Sequence, residues 1–181
     1  MSTDKRLDRV KETVAAIPDF PKKGILFRDL FPVLTFPDVF KGLISLMSEY
    51  VKDAHPDCEG IIGLESRGFL YGPMIAQELN VPFVPVRKKG KLPGELVQVT
   101  YQLEYGTDTF EMQKNSLKPG QKVVIVDDLL ATGGTMAAAV ELVQQVGGIA
   151  QCGLVVIELV DLKGREKIQG TVKSFLQYSG D

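Results

Sequence analysis

Apolar residues recur along much of the chain at helical spacing, and elsewhere they form the short runs typical of buried strands. One predicted helix carries Leu7, Val10, Val14 and Ile17 on one face, and Pro18 is expected to end it. The apolar face of a second predicted helix comprises Phe40, Leu43, Ile44, Met47, Tyr50 and Val51. The proline-rich residues 18–37 between them are predicted to be irregular. Further helices are expected at about 69–79 and from Gly134 to a C-terminal cap at Gly147-Gly148.

Short apolar runs predict strands at residues 61–64, 83–86 and 123–126, and near 150–160 and 171–177. Pro85 suggests that the second of these is an edge strand or ends early, because proline has no N–H to donate. Residues 96–113 differ, since apolar side chains occupy every second position and predict a one-sided β-arm that turns near 106–108. The alternation of strands and helices predicts an α/β fold with a mostly parallel twisted sheet flanked by helices.

Composition limits the class of protein. The 181 residues, with 44% hydrophobic and 24% charged, are typical of one globular domain, 1–181. A net charge of −2 argues against non-specific nucleic-acid binding. No apolar run approaches the ~20 residues of a membrane span, and the first ten residues lack the apolar segment of a secretion signal. Cys58 and Cys152 are not in a metal-binding spacing, so a cytoplasmic location is expected.

The most informative stretch is residues 123–135, where a buried strand leads into acidic residues and then a loop of small residues. Asp127 and Asp128 come at the carboxyl end of the strand, the edge where α/β sheets bind ligands. A glycine-rich turn into a helix offers free N–H groups and the positive end of the helix dipole, which together bind phosphate. The predicted phosphate loop consists of Ala131, Thr132, Gly133, Gly134 and Thr135.

The two acids, Asp127 and Asp128, indicate which chemical group lies next to the bound phosphate. Two carboxylates would repel the phosphate itself, so they are expected to face vicinal hydroxyls or a bound metal ion. Ribose 5-phosphate offers a phosphate at one end and vicinal hydroxyls beside it. No lysine follows the glycines and no Gly-x-Gly-x-x-Gly follows a strand, which disfavours a nucleoside-triphosphate P-loop and a dinucleotide-binding fold.

Two further segments carry candidate anion-binding groups. Glu65, Ser66 and Arg67 follow the strand at 61–64, and arginine can bond two phosphate oxygens at once. Four positive charges in five residues follow the strand at 83–86: Arg87, Lys88, Lys89 and Lys91. This basic run is either a solvated loop or a second anion site.

These segments, together with residues 24–29, 103–106 and 162–167, occur in the order found in the type I phosphoribosyltransferases, which this chain resembles. The donor in that family is 5-phosphoribosyl 1-pyrophosphate (PRPP). The resemblance implies an N-terminal hood segment at 1–36 and a flexible lid or β-arm at 87–113. It is strongest to the members that act on adenine, so we expect transfer of the phosphoribosyl group to N9 of adenine, giving AMP and pyrophosphate in purine salvage. Hypoxanthine or guanine is the alternative acceptor. A PRPP-binding transcription regulator is disfavoured because the chain lacks a DNA-binding region.

The resemblance also implies roles for individual residues. Asp127 and Asp128 would bind the ribose hydroxyls, and the phosphate loop would bind the 5-phosphate. Adenine would be held by Leu26, Phe27, Arg28 and Leu159. Pyrophosphate would be held by Glu65, Ser66, Arg67, Arg87, Lys88 and Lys91, with a non-proline cis peptide predicted at Glu65–Ser66.

Glu104 and Tyr105 are the catalytic candidates within the lid. Glu104 is expected to take the N9 proton or to stabilise a protonated N7, and Tyr105 to order the closed lid. Mg²⁺ is expected as a cofactor carried by PRPP, with no protein ligand assigned to it. The expected partners are adenine, PRPP, AMP, pyrophosphate and a second copy of the chain in a homodimer, with no nucleic acid and no membrane.

Overall fold

A computed structural model describes residues 4–102 and 106–179 of the chain. The helices, α1 to α5 in chain order, are Lys5–Thr13, Phe31–Leu34, Pro37–Ala54, Gly68–Leu79 and Gly134–Gln145. The strands, β1 to β9, are Ala15–Pro18, Leu26–Asp29, Ile61–Leu64, Phe83–Lys88, Leu96–Gln102, Thr107–Gln113, Lys122–Leu130, Ile149–Leu159 and Thr171–Tyr178. Two short 3₁₀ helices, Val160–Leu162 and Gly164–Lys167, lie between β8 and β9.

Seven of the described strands form one sheet in the order β5-β6-β4-β3-β7-β8-β9. The neighbours from β4 to β9 are parallel, whereas β6 is antiparallel to both β4 and β5. The carboxyl ends of the parallel strands therefore lie at one edge of the sheet. The predicted α/β fold with a mostly parallel sheet is confirmed, and so is the pairing of the two halves of the β-arm.

Both faces of the sheet are buried. Val124 and Val126 of β7 join an apolar cluster with residues of α3 and α4, while Val123 and Ile125 join a second cluster with residues of α5 and the β-arm. A strand covered on both faces is apolar at successive positions, which explains the continuous run in the sequence. None of the helices in the described ranges combines the length and apolarity needed to span a bilayer.

The N-terminal segment differs from the prediction. Helix α1 ends at Thr13, and β1 pairs with β2 in antiparallel register from Ala15↔Asp29 to Pro18↔Leu26. The prediction of a helix reaching Ile17 was wrong, as was that of a wholly irregular segment at 18–37. Apolar spacing is not a sign of burial here, because Ile17 remains 41% exposed. The backbone of Ile17 pairs with Phe27 of β2 instead.

Strand β4 continues to Lys88 and lies inside the sheet order, so it neither ends early nor forms an edge. Its first four residues pair only with β3, and β6 pairs with Arg87 and Lys88 alone. Pro85 therefore lies where one side of the strand has no ladder partner, which is the position that a residue without an N–H tolerates.

Candidate active site

The loop after β3 turns directly into a helix at the carboxyl edge of the sheet. The peptide bond between Glu65 and Ser66 is cis, as predicted. Arg67 caps α4, whose first residue, Gly68, is packed against the neighbouring strand. A Cβ at Gly68 would lie 2.5 Å from the carbonyl oxygen of Val126, so only glycine lets the helix begin this close to β7.

The acid pair belongs to β7 itself, because that strand extends to Leu130. Side chains alternate along a strand. Asp128 therefore continues the row of Val124 and Val126 on the α4 side, and Asp127 follows Ile125 in the alternate row. Asp128 is buried and donates its N–H to Oδ1 of Asp127 at 2.9 Å.

Arg67 neutralises one of these two acids. Its Nε donates to Oδ2 of Asp128. Burial by itself would lower the pKa of Arg67, but the Asp128 carboxylate raises it above its usual value. Burial, followed by the negative charge of Asp128, raises the pKa of Asp127 well above its ordinary value. The site thus holds one carboxylate paired with Arg67 and, beside it, one carboxyl group whose pKa is raised by burial and by its neighbour's charge.

The phosphate loop is shaped by its glycines. Gly133 has a φ of 81°, a left-handed conformation that favours glycine, and it caps α5. A Cβ at Gly134 would lie 3.0 Å from the carbonyl oxygen of Gln102, where β5 ends. The N-terminus of the twelve-residue helix α5 therefore lies beside the last residue of β5.

A cleft of about 390 Å³ joins these groups. It contains the predicted phosphate loop, both acids and the loop after β3. Its lining residues are Glu65, Ser66, Arg67, Lys88, Gln102, Asp127, Asp128, Leu129, Ala131, Thr132, Gly133, Gly134 and Thr135.

A second, smaller hollow of about 110 Å³ adjoins the cleft. It contains all four residues predicted to hold adenine, together with apolar side chains of α4. Its lining residues are Ile25, Leu26, Phe27, Arg28, Asp29, Leu30, Phe31, Arg67, Leu70, Tyr71, Asp128, Leu129 and Leu159. Arg67, Asp128 and Leu129 line both spaces. The guanidinium of Arg28 lies 4.3 Å from the ring centre of Tyr178, so its charge is directed to that ring.

The side chains of the basic run, residues 87–91, lie in different environments. The guanidinium of Arg87 binds both carboxylate oxygens of Glu65, at 3.1 and 3.2 Å. Although burial acts in the opposite direction, these bonds hold the pKa of Glu65 below its usual range. Lys88 lines the cleft and pairs with Asp108 at 2.9 Å. Arg87 and Lys91 are not among the residues that line it.

Glu111 of β6 was missed by sequence reasoning. It is fully buried and accepts the N–H groups of Lys91 and Leu92 at 2.8 Å each and the side-chain amide of Gln98 at 3.2 Å. Burial raises its pKa, but these backbone N–H groups outweigh burial and lower it. Glu111 thus folds the loop that carries the basic run. In the sequence Glu111 lies between two apolar residues of an alternating strand, where a charged residue is expected to face solvent. Nothing in the sequence therefore indicated that it is buried.

Other lining residues could have been found from spacing. Leu70 and Tyr71 lie three and four residues after Arg67, so in a helix they share its face. Gln102 enters the cleft only because β5 ends beside the phosphate loop, which no local pattern indicates. Glu104 and Tyr105, the predicted catalytic residues, lie outside the described residues.

The acids fit Mg²⁺ delivered by a substrate better than a metal held by the protein alone. Within residues 4–102 and 106–179, no three His, Cys, Asp or Glu side chains are grouped so that they could hold a metal ion. Mg²⁺ commonly binds through one or two carboxylates and the phosphates of a substrate. Asp127 and Asp128 offer two carboxyl groups in the cleft that contains the phosphate loop.

Comparison with known proteins gives one consistent result. A model of the phosphoribosyl transferase domain matches residues 33–176. The chain is 53% identical over 178 residues to an adenine phosphoribosyltransferase of Drosophila pseudoobscura, covering 98% of each chain. It is 51% identical over 180 residues to the rat enzyme of that name, covering 97% of this chain and 99% of the relative.

A solved structure agrees with these sequence relatives. The adenine phosphoribosyltransferase of Saccharomyces cerevisiae, complexed with D-2,5-dideoxy-2,5-imino-altritol 1,6-bisphosphate and adenine, superimposes with a TM-score of 0.92 at 46% identity. The match covers 94% of this chain and 98% of the yeast chain.

Proposed function

Since this chain belongs to the phosphoribosyl transferase family, we infer that it acts as an adenine phosphoribosyltransferase. It transfers the 5-phosphoribosyl group of PRPP to N9 of adenine and gives AMP and pyrophosphate. This reaction returns free adenine to the nucleotide pool and is therefore a step of purine salvage.

The observation that carries this function is the junction of the two spaces. Arg67, Asp128 and Leu129 line both the polar cleft and the apolar hollow. A ribose 5-phosphate in the cleft, with its 5-phosphate on the loop at 131–135, would place C1 toward the hollow. A planar base in the hollow would then face C1 directly, and such positioning supplies much of the rate of a two-substrate reaction.

The ribose contacts follow from the acid pair. Asp127 and Asp128 would accept hydrogen bonds from the ribose hydroxyls. Their negative charge would also favour the positive charge that develops on the ribose as its bond to pyrophosphate breaks. When PRPP binds with Mg²⁺, the ion supplies positive charge that neutralises the pyrophosphate. Asp127 and Asp128, which line the cleft, are the residues that would meet the ion.

The pyrophosphate contacts divide between direct and supporting residues. Ser66, Arg67 and Lys88 line the cleft and would bind the leaving group. Arg87 would support them by holding Glu65, because its guanidinium is occupied by that carboxylate. Lys91 would act through its exposed side chain, since Glu111 already accepts its backbone N–H.

The proton balance requires a base. Adenine attacks C1 from the face opposite the leaving pyrophosphate, so the N9–C1 bond forms as the C1–O bond breaks and the configuration at C1 inverts. We assign the N9 proton to Glu104, and to Tyr105 the ordering of a lid over residues 87–113 that excludes water. Loss of water from the site protects the donor from hydrolysis.

The base is held chiefly by apolar side chains. Leu26, Phe27 and Leu159 would sandwich the adenine ring, and backbone groups near Leu26 and Arg28 would read its edge. Leu26 to Asp29 form β2 of the hood segment, residues 1–36, and line the same hollow as Leu159.

We also propose a homodimer in the cytoplasm. Phe36 and Met74 are large apolar residues that are 51% and 44% exposed, of the kind that a second subunit covers. Cys58 and Cys152 are free thiols, as is usual in a reducing compartment. Sedimentation velocity at micromolar concentration should show twice the chain mass, and a monomer would contradict the dimer.

Incubation of the purified protein with labelled adenine, PRPP and Mg²⁺ tests the activity. AMP and pyrophosphate should appear in equal amounts. Hypoxanthine and guanine, supplied in parallel, should give at most a small fraction of that rate. Preferential formation of IMP or GMP would move the chain to the alternative acceptor, and absence of any nucleotide product would refute the proposed function.

A further inference from the structure

The segment after β8 is packed directly beneath the phosphate loop. A Cβ at Gly164 would lie 2.3 Å from the carbonyl oxygen of Ala131 and 2.9 Å from the amide nitrogen of Gly133. Conversely, a Cβ at Gly133 would lie 2.2 Å from the carbonyl oxygen of Gly164. Real Cβ atoms essentially never approach other atoms this closely. The two backbones therefore touch with no room for a side chain between them.

The next residue anchors this segment to the sheet. Arg165 donates to both carboxylate oxygens of Glu158, from Nε at 2.5 Å and from Nη2 at 2.6 Å. The same guanidinium also donates to Oγ of Ser174 at 3.0 Å and to the carbonyl oxygen of Val172. One side chain thus binds the end of β8 and the strand β9 together.

Glu158 is a firm anchor because it is buried and fully partnered. Its side chain is 5% exposed, and it also accepts from Ser174 at 2.6 Å and from Gln177 at 3.1 Å. The following residue, Leu159, lines the hollow proposed for adenine. The anchor therefore adjoins the base hollow on one side and, through Gly164, the phosphate loop on the other.

We propose that Arg165 is a positioning residue for the 5-phosphate: its ion pair with Glu158 holds Gly164 against Ala131 and Gly133 and so keeps the amide groups of the loop directed at the phosphate. Neither Gly164 nor Arg165 lines the cleft or the hollow, so both act through the loop. This inference rests on the proposed function, because it requires that the loop bind the phosphate of the nucleotide.

The test compares AMP with adenosine, which differ only in the phosphate. The ratio of the Kd for adenosine to the Kd for AMP, measured by calorimetry, reports the contribution of the loop. General damage to the fold would weaken both ligands and leave the ratio unchanged. The variants are Gly164→Ala, Arg165→Met and Arg165→Lys. The control is Gly42→Ala in α3, where a new Cβ would meet only ordinary contacts at 3.5 Å or more.

We expect the ratio to fall at least about tenfold in Gly164→Ala and in Arg165→Met and to stay at the wild-type value in Gly42→Ala. Arg165→Lys should recover part of the loss but stay about two- to threefold below the wild type, because lysine keeps the charge but not the forked contact. If Gly164→Ala and Arg165→Met do not fold, Arg165→Lys is the test. A wild-type ratio of the two Kd values in Arg165→Lys would then overturn the proposal.

Two failures can be told apart. If the wild-type protein binds adenosine as tightly as AMP, the loop does not hold the phosphate, and the proposed function fails together with this inference. If the wild type prefers AMP and folded Gly164→Ala and Arg165→Met variants keep that preference, only the positioning role of Arg165 is overturned.

Discussion

Arg67 and Asp128 form an ion pair that ties the loop after β3 to the strand before the phosphate loop. The side chain of Asp128 is 8% exposed, whereas that of Arg67 is 44% exposed, so the acid is fixed and the arginine reaches it from the open side. A substrate that binds both side chains must either leave this ion pair intact or replace it with its own contacts. Removing the acid would leave Arg67 without this partner and, if the proposed ribose contact is right, would also weaken ribose binding.

Asp128→Asn should weaken the ribose contact by roughly 1.5–3 kcal/mol, since a charged acceptor is lost at nearly constant volume. That loss corresponds to a fall of about ten- to 150-fold in kcat/KM for PRPP. Steady-state kinetics with PRPP varied at saturating adenine checks this. The control, Asp53→Asn, changes an exposed acid of α3 and should behave as wild type. A wild-type kcat/KM in Asp128→Asn would contradict the ribose role.

Glu104→Gln should lower kcat by roughly 10²–10⁴-fold if Glu104 takes the N9 proton, because glutamine cannot accept it. Single-turnover measurements of AMP formation separate this step from product release. Glu95→Gln, on the same arm and 77% exposed at its side chain, is the matched control. A drop of less than about tenfold in Glu104→Gln would give Glu104 a positioning role instead.

Leu159→Ala should raise the KM for adenine by about tenfold or more, because a leucine side chain that the bound base covers contributes roughly 1.5–3 kcal/mol of apolar contact. The KM for PRPP should change far less, since the polar cleft keeps its lining. Leu162→Ala, at a side chain 47% exposed in the adjacent 3₁₀ helix, should leave both values unchanged. Equal effects of Leu159→Ala on both substrates would argue against a base-specific hollow.

Glu158→Gln tests the anchor by pH. The hydrogen bonds from Arg165 lower the pKa of Glu158 to about 2, from an ordinary value of 4.5. A lowered folded-state pKa gives stability that is present above the unfolded value of about 4.5 and is lost as the pH falls toward 2. At pH 7 the variant should lose about 1–3 kcal/mol of unfolding free energy.

Urea unfolding at a series of pH values checks this expectation. The difference between wild type and Glu158→Gln should be constant above about pH 5 and shrink as the pH falls below about 4.5. A difference that stays constant down to about pH 3 would show that Glu158 is not stabilised as a carboxylate.

Removal of Mg²⁺ should stop AMP formation, because the pyrophosphate would keep its full charge beside two acids. Activity with PRPP and adenine should disappear in excess chelator and return when Mg²⁺ exceeds the chelator. The AMP affinity of the same protein, measured by calorimetry, should change little, since AMP carries no pyrophosphate. Undiminished turnover in chelator would remove Mg²⁺ from the proposal.

Several features could be predicted because their signals are local. The continuous apolar run before Asp127 reports a strand covered on both faces, and the glycines before α5 report a backbone that other segments approach closely. The alternation at 96–113 reports a strand with one buried face, which β5 and β6 confirm. Such periodicities depend only on which side of an element meets the core.

Other features depend on contacts between distant segments and have no local signal. Ile17 lies in a strand because β2 supplies hydrogen-bond partners, although its spacing favours a helix. Arg87 binds Glu65 rather than lining the cleft, and Glu111 is buried beneath the loop that it folds. Each of these contacts forms because a polar group in one segment needs a hydrogen-bond partner that only a distant segment supplies.

The sequence by itself determined most of the helices and strands after residue 37, the mostly parallel sheet, and a loop of small residues beside two acids. These follow from hydrophobic period and from the conformational freedom of glycine, which act over a few residues. Only the tertiary structure decided that the apolar hollow opens onto the cleft at Arg67 and Asp128, and that the backbone of Gly164 packs against that of Gly133. The physical reason is that a buried charge needs a charged or hydrogen-bonding partner, and that partner comes from whichever segment the fold brings close. Close packing of two backbones likewise depends on segments that are distant in the sequence.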